Sequence, residues 1–130
     1  MAKSKRKKVE DKIWSVVREI VYIRDKSICQ MCGKYQEKGL HGSHVFGRGA
    51  YRDPYIKWEP LNVKLLCYYC HMKWASSPVE SGKWFADKFP ERLEYLEQLI
   101  IDRKFTGTVS LVDLEEMHDK LKQELKEMNP

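Results

Sequence analysis

The sequence predicts a small α+β domain in which a two-stranded hairpin and a short helix lie between an N-terminal helix and further C-terminal helices. Apolar residues recur at helical spacing near both ends of the chain, whereas the middle alternates and is broken by glycines. Two Cys-x-x-Cys pairs enclose that middle segment. With 130 residues and 42% apolar side chains, the chain suffices for a single domain with a small core.

The N-terminal part is predicted as a basic flexible arm followed by a helix. Residues 1–8 carry five Lys or Arg side chains, and no apolar segment follows them as a secretory signal would require. Apolar residues then recur every three or four positions, which predicts a helix over 9–26. Because no run of eighteen apolar residues could span a membrane, we expect a cytoplasmic protein.

The cysteine-containing core is predicted over residues 28–75. Alternating residues over 40–45, a long Gly- and Pro-containing connection and a second extended stretch before the segment EPLNVKLLC are typical of a β-hairpin. A short helix is expected to start near Tyr68.

The helical C-terminal part is predicted over residues 76–130. The segment ASSPVESGK is expected to be a loop, Pro90 to open a helix, and Ser110 to cap a last helix. We expect the apolar stripe of that last helix to pack on the first helix, with a second subunit as the alternative.

The four cysteines predict a structural zinc site. The first pair is Cys29 and Cys32, and the second pair is Cys67 and Cys70. Short-spaced pairs without an export signal favour a tetrahedral zinc site over disulfides, and Gly33 allows a tight turn whose amides point at sulfur. Unmetallated thiols and a thiol redox pair are the alternatives. His71 directly follows the second pair, so it is either a further zinc ligand or part of a second site.

The net charge of +5 is unevenly placed along the chain. Residues 29–74 carry seven basic side chains against three acidic ones, whereas residues 75–130 carry eight against twelve. The basic surface therefore coincides with the cysteine segment, which indicates a polyanion as the partner there.

His44, Asn62 and His71 follow one another in an order and spacing that resembles the HNH endonucleases. The cysteine pairs resemble the zinc-bearing branch of that family, whose ββα-metal fold places a hairpin and a helix around a catalytic divalent ion. The stretches VREIVYIRDKSICQMCG, HGSHVFGR and LNVKLLCYYCH are similar to the phage NinG (Rap) recombination nucleases, which cut branched DNA. The resemblance implies a phage-encoded nuclease domain over 9–130 that cuts branched or duplex DNA in recombination or packaging.

The resemblance implies a role for each motif residue. His44 would be the general base that activates a water molecule, and Asn62 would fix the hairpin loop and orient the His44 ring. His71 would bind a catalytic Mg²⁺ or Mn²⁺, which answers the question raised by its position beside the zinc pair.

One position departs from the family pattern. Many HNH enzymes have an Asp or a His directly before the general base as a second metal ligand, and here that residue is Ser43. A neutral hydroxyl is a poor ligand for a hard cation. The ion would then be held through water, by His41, or by Asp53 or Glu59 from the loop.

Several basic residues of the core segment are candidate contacts to DNA phosphates. Arg48 lies where its guanidinium could hold the scissile phosphate, with a solvated loop residue as the alternative. The other candidate backbone contacts are Arg52, Lys57, Lys64 and Lys73.

The competing interpretation is a non-catalytic zinc module that binds DNA. It needs the four cysteines but has no use for His44, Asn62 and His71 at these positions. Symmetric cutting of a duplex or a four-way junction would need two active sites, so a homodimer is one of the two alternatives for the oligomeric state.

Overall fold

The computed structural model describes residues 2–47, 52–103 and 107–129. It confirms an α+β chain that is mostly helical and has one small sheet. Its elements are α1 (Lys5–Arg24), β1 (His41–His44), α2 (Pro54–Lys57), a 3-10 turn (Pro60–Asn62), β2 (Val63–Leu66), α3 (Tyr68–Ser76), α4 (Pro78–Lys88), α5 (Pro90–Arg103) and α6 (Leu111–Met128). None of the helices in these ranges is long and apolar enough to cross a membrane.

Helix α1 begins four residues before its predicted start. Ser4 is its N-cap, and the Ser4 hydroxyl accepts a hydrogen bond from the Lys7 amide at 3.1 Å. Lys3 and Lys7 both pair with Asp11 of the same helix. The prediction of a flexible basic arm over 1–8 is therefore wrong for residues 5–8. The Ser4 cap and the ion pair between Lys7 and Asp11 extend the helix through these residues.

The hairpin and its following helix are confirmed, but the second strand is Val63–Leu66, inside the segment EPLNVKLLC and not before it as expected. Strands β1 and β2 pair antiparallel, with Ser43 opposite Lys64 and His44 opposite Val63. The long connection between them contains α2, whose Asp53 cap and Pro54 start it, and the 3-10 turn. Helix α3 begins at Tyr68, as predicted.

The C-terminal part differs from prediction in one segment. The stretch predicted as a loop after α3 contains the first half of α4, which buries Ser81 and Phe85. Pro78 occupies the first turn of α4, where a proline needs no amide hydrogen, so this proline starts a helix instead of marking a loop. The helices predicted after Pro90 and Ser110 are both present, and the Ser110 hydroxyl caps α6.

The core forms where α6 packs along α1 and both face β2. This confirms the expected partner of the last helix. The buried apolar residues of this core include Ile13, Val17, Ile20, Val21, Val63, Leu65, Leu66, Leu114, Met117 and Leu121.

Candidate functional site

The four cysteines come together as a cluster that could bind zinc. Their sulfur atoms all lie within 4.8 Å of one another, and the sulfurs of Cys32 and Cys67 are 3.7 Å apart. A tetrahedral zinc with zinc–sulfur bonds of about 2.3 Å holds its sulfurs at roughly this spacing. Three of the four cysteines are buried, which is where a structural metal site belongs.

The first pair lies in the tight turn that the sequence predicted. Gly33 has a φ of +80°, and its amide donates to the Cys29 carbonyl at 2.9 Å. The Cys32 amide donates to the Cys29 sulfur at 3.5 Å. Such amides stabilise a thiolate, so the turn prepares Cys29 to bind a cation.

The pKa values of the cysteine thiols also indicate that the cluster is suited to a metal ion. Burial opposes ionisation of the Cys29 thiol, but amide hydrogen bonds from Cys32, Cys67 and Met31 prevail and lower its pKa to about 7. Burial and the neighbouring thiols raise the pKa of Cys70. Four sulfurs this close repel one another when ionised, and a bound cation removes that repulsion.

A separate cavity of about 420 Å³ lies between α1, β1 and the start of α3. It brings together four of the predicted site residues, Ser43, His44, Lys57 and His71. Its lining is Lys7, Glu10, Asp11, Trp14, Gly42, Ser43, His44, Lys57, Trp58 and His71. The sequence did not predict the contribution of α1, because no motif connects that helix to the two histidines.

His44 is held on two sides at the end of β1. Its ring stacks on the Trp14 indole with centroids 5.5 Å apart and an interplanar angle of 18°. Its Nε2 lies 3.0 Å from the Lys57 carbonyl oxygen, which only accepts, so Nε2 carries the proton and Nδ1 the lone pair. Gly42 is required two residues earlier, because a Cβ there would lie 2.9 Å from the Trp14 ring.

Burial keeps the His44 imidazole neutral. It lowers the pKa of His44 to about 4, and the nearby Lys57 and Lys64 charges lower it further, against the hydrogen bond to the Lys57 carbonyl. A neutral ring with a defined tautomer is the form that can accept a proton.

Asn62 fixes the hairpin loop, as expected, but it orients His44 indirectly. Its side chain is fully buried and bonds the Phe46 amide at 2.8 Å, the Phe46 carbonyl at 3.2 Å and the Ile56 carbonyl at 3.0 Å. The carbonyl that holds His44 belongs to Lys57, the residue after Ile56. Asn62 therefore positions the segment that orients the ring.

Two arginines fix the turn that contains Asn62, and no sequence motif indicates either role. Arg24 donates to the carbonyls of Pro60 and Val63, each at 2.6 Å. Arg92 of α5 donates to the carbonyls of Leu61 at 2.6 Å and Val63 at 2.8 Å. These backbone oxygens lie on both sides of Asn62, so α1 and α5 together hold it in place.

Asp25, next to Arg24, fixes the outer edge of β2. Its carboxylate accepts from the Arg24 guanidinium at 2.8 Å and from the Leu65 amide at 3.0 Å. The backbone N–H of Gln30 donates to the Leu65 carbonyl at 2.9 Å, so the backbone N–H and C=O of Leu65 are both hydrogen-bonded at this strand edge. The end of α1, the cysteine turn and β2 thus form one connected unit.

His71 differs from His44 in its hydrogen bonding. Its Nδ1 is buried and has no hydrogen-bond partner within the described part of the chain. Burial lowers the pKa of His71, and His41 and Lys64 lower it further. A neutral imidazole with an unsatisfied buried nitrogen is suited to bind a metal ion.

His41 stacks face to face on His71. The ring centroids are 4.7 Å apart and the planes differ by 6°. A metal ion lies in the plane of each imidazole that binds it, and two parallel stacked rings have no point common to both planes. In this arrangement the two histidines do not share one ion, and His41 instead packs against His71.

Ser43 and Lys64 form a buried pair between the two strands. Lys64 is fully buried, its Nζ lies 3.4 Å from the Ser43 hydroxyl and 3.3 Å from the centroid of the Trp74 ring. Burial, with a smaller effect of Arg92, lowers the pKa of Lys64 to about 6. The prediction that Lys64 contacts DNA is wrong, because the strand register turns its side chain into the core.

The remaining predicted phosphate contacts are spread over the surface. Arg52 and Lys73 are exposed, and Lys73 pairs with Glu80 at 3.4 Å. Lys57 is half-buried at the cavity with its Nζ 4.5 Å from the centroid of the Trp58 ring. Arg48 lies outside the described residues.

The acids expected to assist a metal ion lie elsewhere. Asp53 caps α2 and pairs with Arg103 at 2.7 Å, and Glu59 caps the 3-10 turn. Among the described residues, the acids that line the cavity are Glu10 and Asp11 of α1.

Comparisons of the chain with models of known families, with curated proteins and with solved structures find no match.

Proposed function

We propose that this protein is a divalent-metal-dependent endonuclease of the HNH type that hydrolyses DNA phosphodiester bonds. The observation that carries the proposal is one cavity lined by two imidazoles in different environments. Nε2 of His44 is bonded to a carbonyl, whereas Nδ1 of His71 is buried without a hydrogen-bond partner in the described ranges. Such a difference supports a proton acceptor at His44 and a metal ligand at His71.

His44 acts as the general base in this proposal. The lone pair at Nδ1 takes a proton from the water molecule that attacks the phosphorus and displaces the leaving oxygen, while Nε2 keeps its proton and donates a hydrogen bond to the Lys57 carbonyl. The low pKa keeps the ring neutral at neutral pH, and stacking on Trp14 restricts its rotation. The neutral ring keeps its lone pair available, and the stacking keeps the ring in one orientation before the substrate arrives.

His71 and Glu10 hold the catalytic ion. Bound Mg²⁺ or Mn²⁺ supplies stabilisation of the negative charge that develops on the phosphate and on the leaving oxygen. Glu10 offers the hard oxygen ligand that Ser43 lacks, and it lies one helical turn before Trp14 on the same face of α1. Asp11 is less suited, because Lys3 and Lys7 already pair with it.

The four cysteines hold a structural Zn²⁺ outside the reaction. This ion would connect the first cysteine turn to the start of α3, the helix that carries His71. Zinc thereby contributes to the position of the catalytic ligand without touching the substrate.

The proposed substrate is branched or duplex DNA, cut in recombination or packaging. Exposed Arg52 and Lys73 and half-buried Lys57 contact backbone phosphates. Cutting both strands symmetrically requires two active sites, which a homodimer would supply.

The test is cleavage of supercoiled plasmid, linear duplex, flap, single strand and four-way junction with Mg²⁺ or Mn²⁺. His44→Ala and His71→Ala should retain zinc and the fold but lose cleavage. His118→Ala is the matched control, because His118 lies on α6 outside the cavity lining, and it should cut at the wild-type rate. Wild-type protein that binds DNA without cutting any substrate would favour the non-catalytic zinc module.

A further inference from the structure

Helix α3 presents aromatic side chains to solvent beside the proposed metal ligand. Tyr68 and Tyr69 are 60% and 80% exposed, and Met72 is 51% exposed. The two tyrosine rings meet nearly edge to face with centroids 5.8 Å apart. Neighbouring large apolar side chains at such exposure are typical of an interaction surface.

These tyrosines are connected to the cavity by a continuous series of ring contacts. The Tyr68 ring lies 6.2 Å from the His41 ring, which stacks on His71 at 4.7 Å. The His41 imidazole therefore contacts both the Tyr68 ring and the His71 ring, and His71 lines the cavity. The surface is continuous with the site proposed to cut DNA.

The charge around the tyrosines favours a polyanion. Exposed Lys73 lies four residues after Tyr69, so the two side chains share one face of α3. The segment 29–74 has a net charge of +4 by sequence, to which the buried Lys64 adds no surface cation, whereas 75–130 has −4. A nucleic acid offers both a negative backbone for Lys73 and flat rings for the tyrosines.

The bases that stack on these tyrosines must be unpaired. Inside a duplex each base is covered on both faces by its neighbours and presents only its edges in the grooves. A side-chain ring on a helix surface reaches a base face only where the strand is single or splayed out.

We propose that Tyr68 and Tyr69 form a stacking surface for unpaired bases of the DNA strand bound at His44 and His71. The inference rests on the proposed nuclease function and names its substrate as a strand with unpaired nucleotides next to the scissile phosphate. Tyr68, the nearer to His71, receives the base closest to the cut, and Tyr69 and Lys73 bind the strand further out.

The test measures binding of a labelled single strand and of the matching duplex by anisotropy, without added divalent ion so that nothing is cut. The variant Tyr68→Leu/Tyr69→Leu keeps apolar side chains but removes both rings. Tyr95→Leu is the matched control, because Tyr95 is 46% exposed on α5. We expect the double variant to bind the single strand about 5- to 150-fold more weakly, the strength typical of stacking on one base, with duplex binding unchanged.

A second readout reports stacking directly. A single strand carrying 2-aminopurine should lose fluorescence when wild-type protein or Tyr95→Leu binds it, and should keep that fluorescence with the double variant. Unchanged single-strand affinity, or an equal loss for duplex and single strand, would overturn the inference. A change in molecular mass with unchanged DNA binding would also overturn it, because the tyrosines would then contact protein.

The outcome is separable from the nuclease proposal. Plasmid cleavage with Mn²⁺ by the wild type, together with unchanged single-strand binding by the double variant, would remove only the stacking surface. Selective loss of single-strand binding without any wild-type cleavage would keep the surface and remove the nuclease.

Discussion

Replacing Asn62 by Ala tests whether the site depends on this buried amide as a structural clamp. The Asn62 side chain is fully buried and makes three hydrogen bonds, all to the backbone of Phe46 and Ile56. Alanine removes all of them and supplies no replacement. The variant should therefore unfold more easily even though His44 and His71 are unaltered.

The magnitude follows from the groups that lose their partners. The Ile56 carbonyl keeps a bond from the Glu59 amide at 3.2 Å, so its loss is small. The Phe46 amide and carbonyl lose the Asn62 partner, and each such loss costs about 1–3 kcal/mol when buried. Phe46 is half-buried, so the lower part of that range applies and the expected total is about 2–4 kcal/mol. For a chain of this size that corresponds to a fall in Tm of roughly 6–16 °C.

Urea unfolding of zinc-loaded protein is the assay, with a shift in midpoint at an unchanged slope as the expected result. Asn129→Ala is the matched control, because Asn129 is exposed at the end of α6 and should change stability by less than about 0.5 kcal/mol. A loss below about 1 kcal/mol for Asn62→Ala would refute the clamp, since the loop would then hold its shape without the amide.

Three further predictions concern the cysteine cluster, the proposed Mn²⁺ ligand Glu10 and the half-buried acid Glu59. Cys67→Ser should lose the zinc measured by elemental analysis and lower Tm together, and a zinc-free protein with wild-type Tm would contradict a structural metal. Glu10→Gln should weaken Mn²⁺ binding measured by titration calorimetry at least about tenfold, whereas its neighbour variant Asp11→Asn should not, and equal affinities would exclude Glu10 as a ligand. Burial raises the pKa of Glu59, so folding favours its protonated form and the carboxylate costs stability as pH rises above its usual value near 4.5. Glu59→Gln should therefore stabilise the protein at pH 7, with a gain that fades toward pH 4, and a gain independent of pH would show that the carboxylate is not strained by burial.

The elements with a strong local signal could be predicted from the sequence. The cysteine spacing predicted the cluster, the alternation over 40–45 predicted the first strand of the hairpin, and Ser110 predicted the start of α6. Helix α4 was missed because Pro78 and Gly82 weaken the helical pattern, although burial of Ser81 and Phe85 offsets them. Local propensity there is overridden by tertiary packing.

The environment of the site residues could not be predicted, because it depends on contacts between distant segments. Lys64 looked like a surface cation in a basic stretch, and only the pairing with β1 places it under Trp74. Trp14 looked like one more apolar residue of α1, yet it stacks on His44. Spacing identifies chemistry carried by neighbours in sequence, whereas these contacts are fixed by packing of the whole chain.

The hairpin and helix are therefore not a self-sufficient structural unit, although all three motif residues lie within 28–75. Helix α1 supplies Trp14 to the His44 ring, Glu10 to the cavity and Arg24 to the turn of Asn62. Helix α5 supplies Arg92, which shares the Val63 carbonyl with Arg24 and also donates to Leu61. Cutting the chain at the edges of the motif would leave the carbonyls of Pro60, Leu61 and Val63 without these donors and one face of His44 without its stacking partner. The four part-buried hydrogen bonds from Arg24 and Arg92 would be lost, each worth about 1 kcal/mol or more, which is a large share of the roughly 5–15 kcal/mol stability of a domain, so the hairpin and helix depend on the whole helical frame.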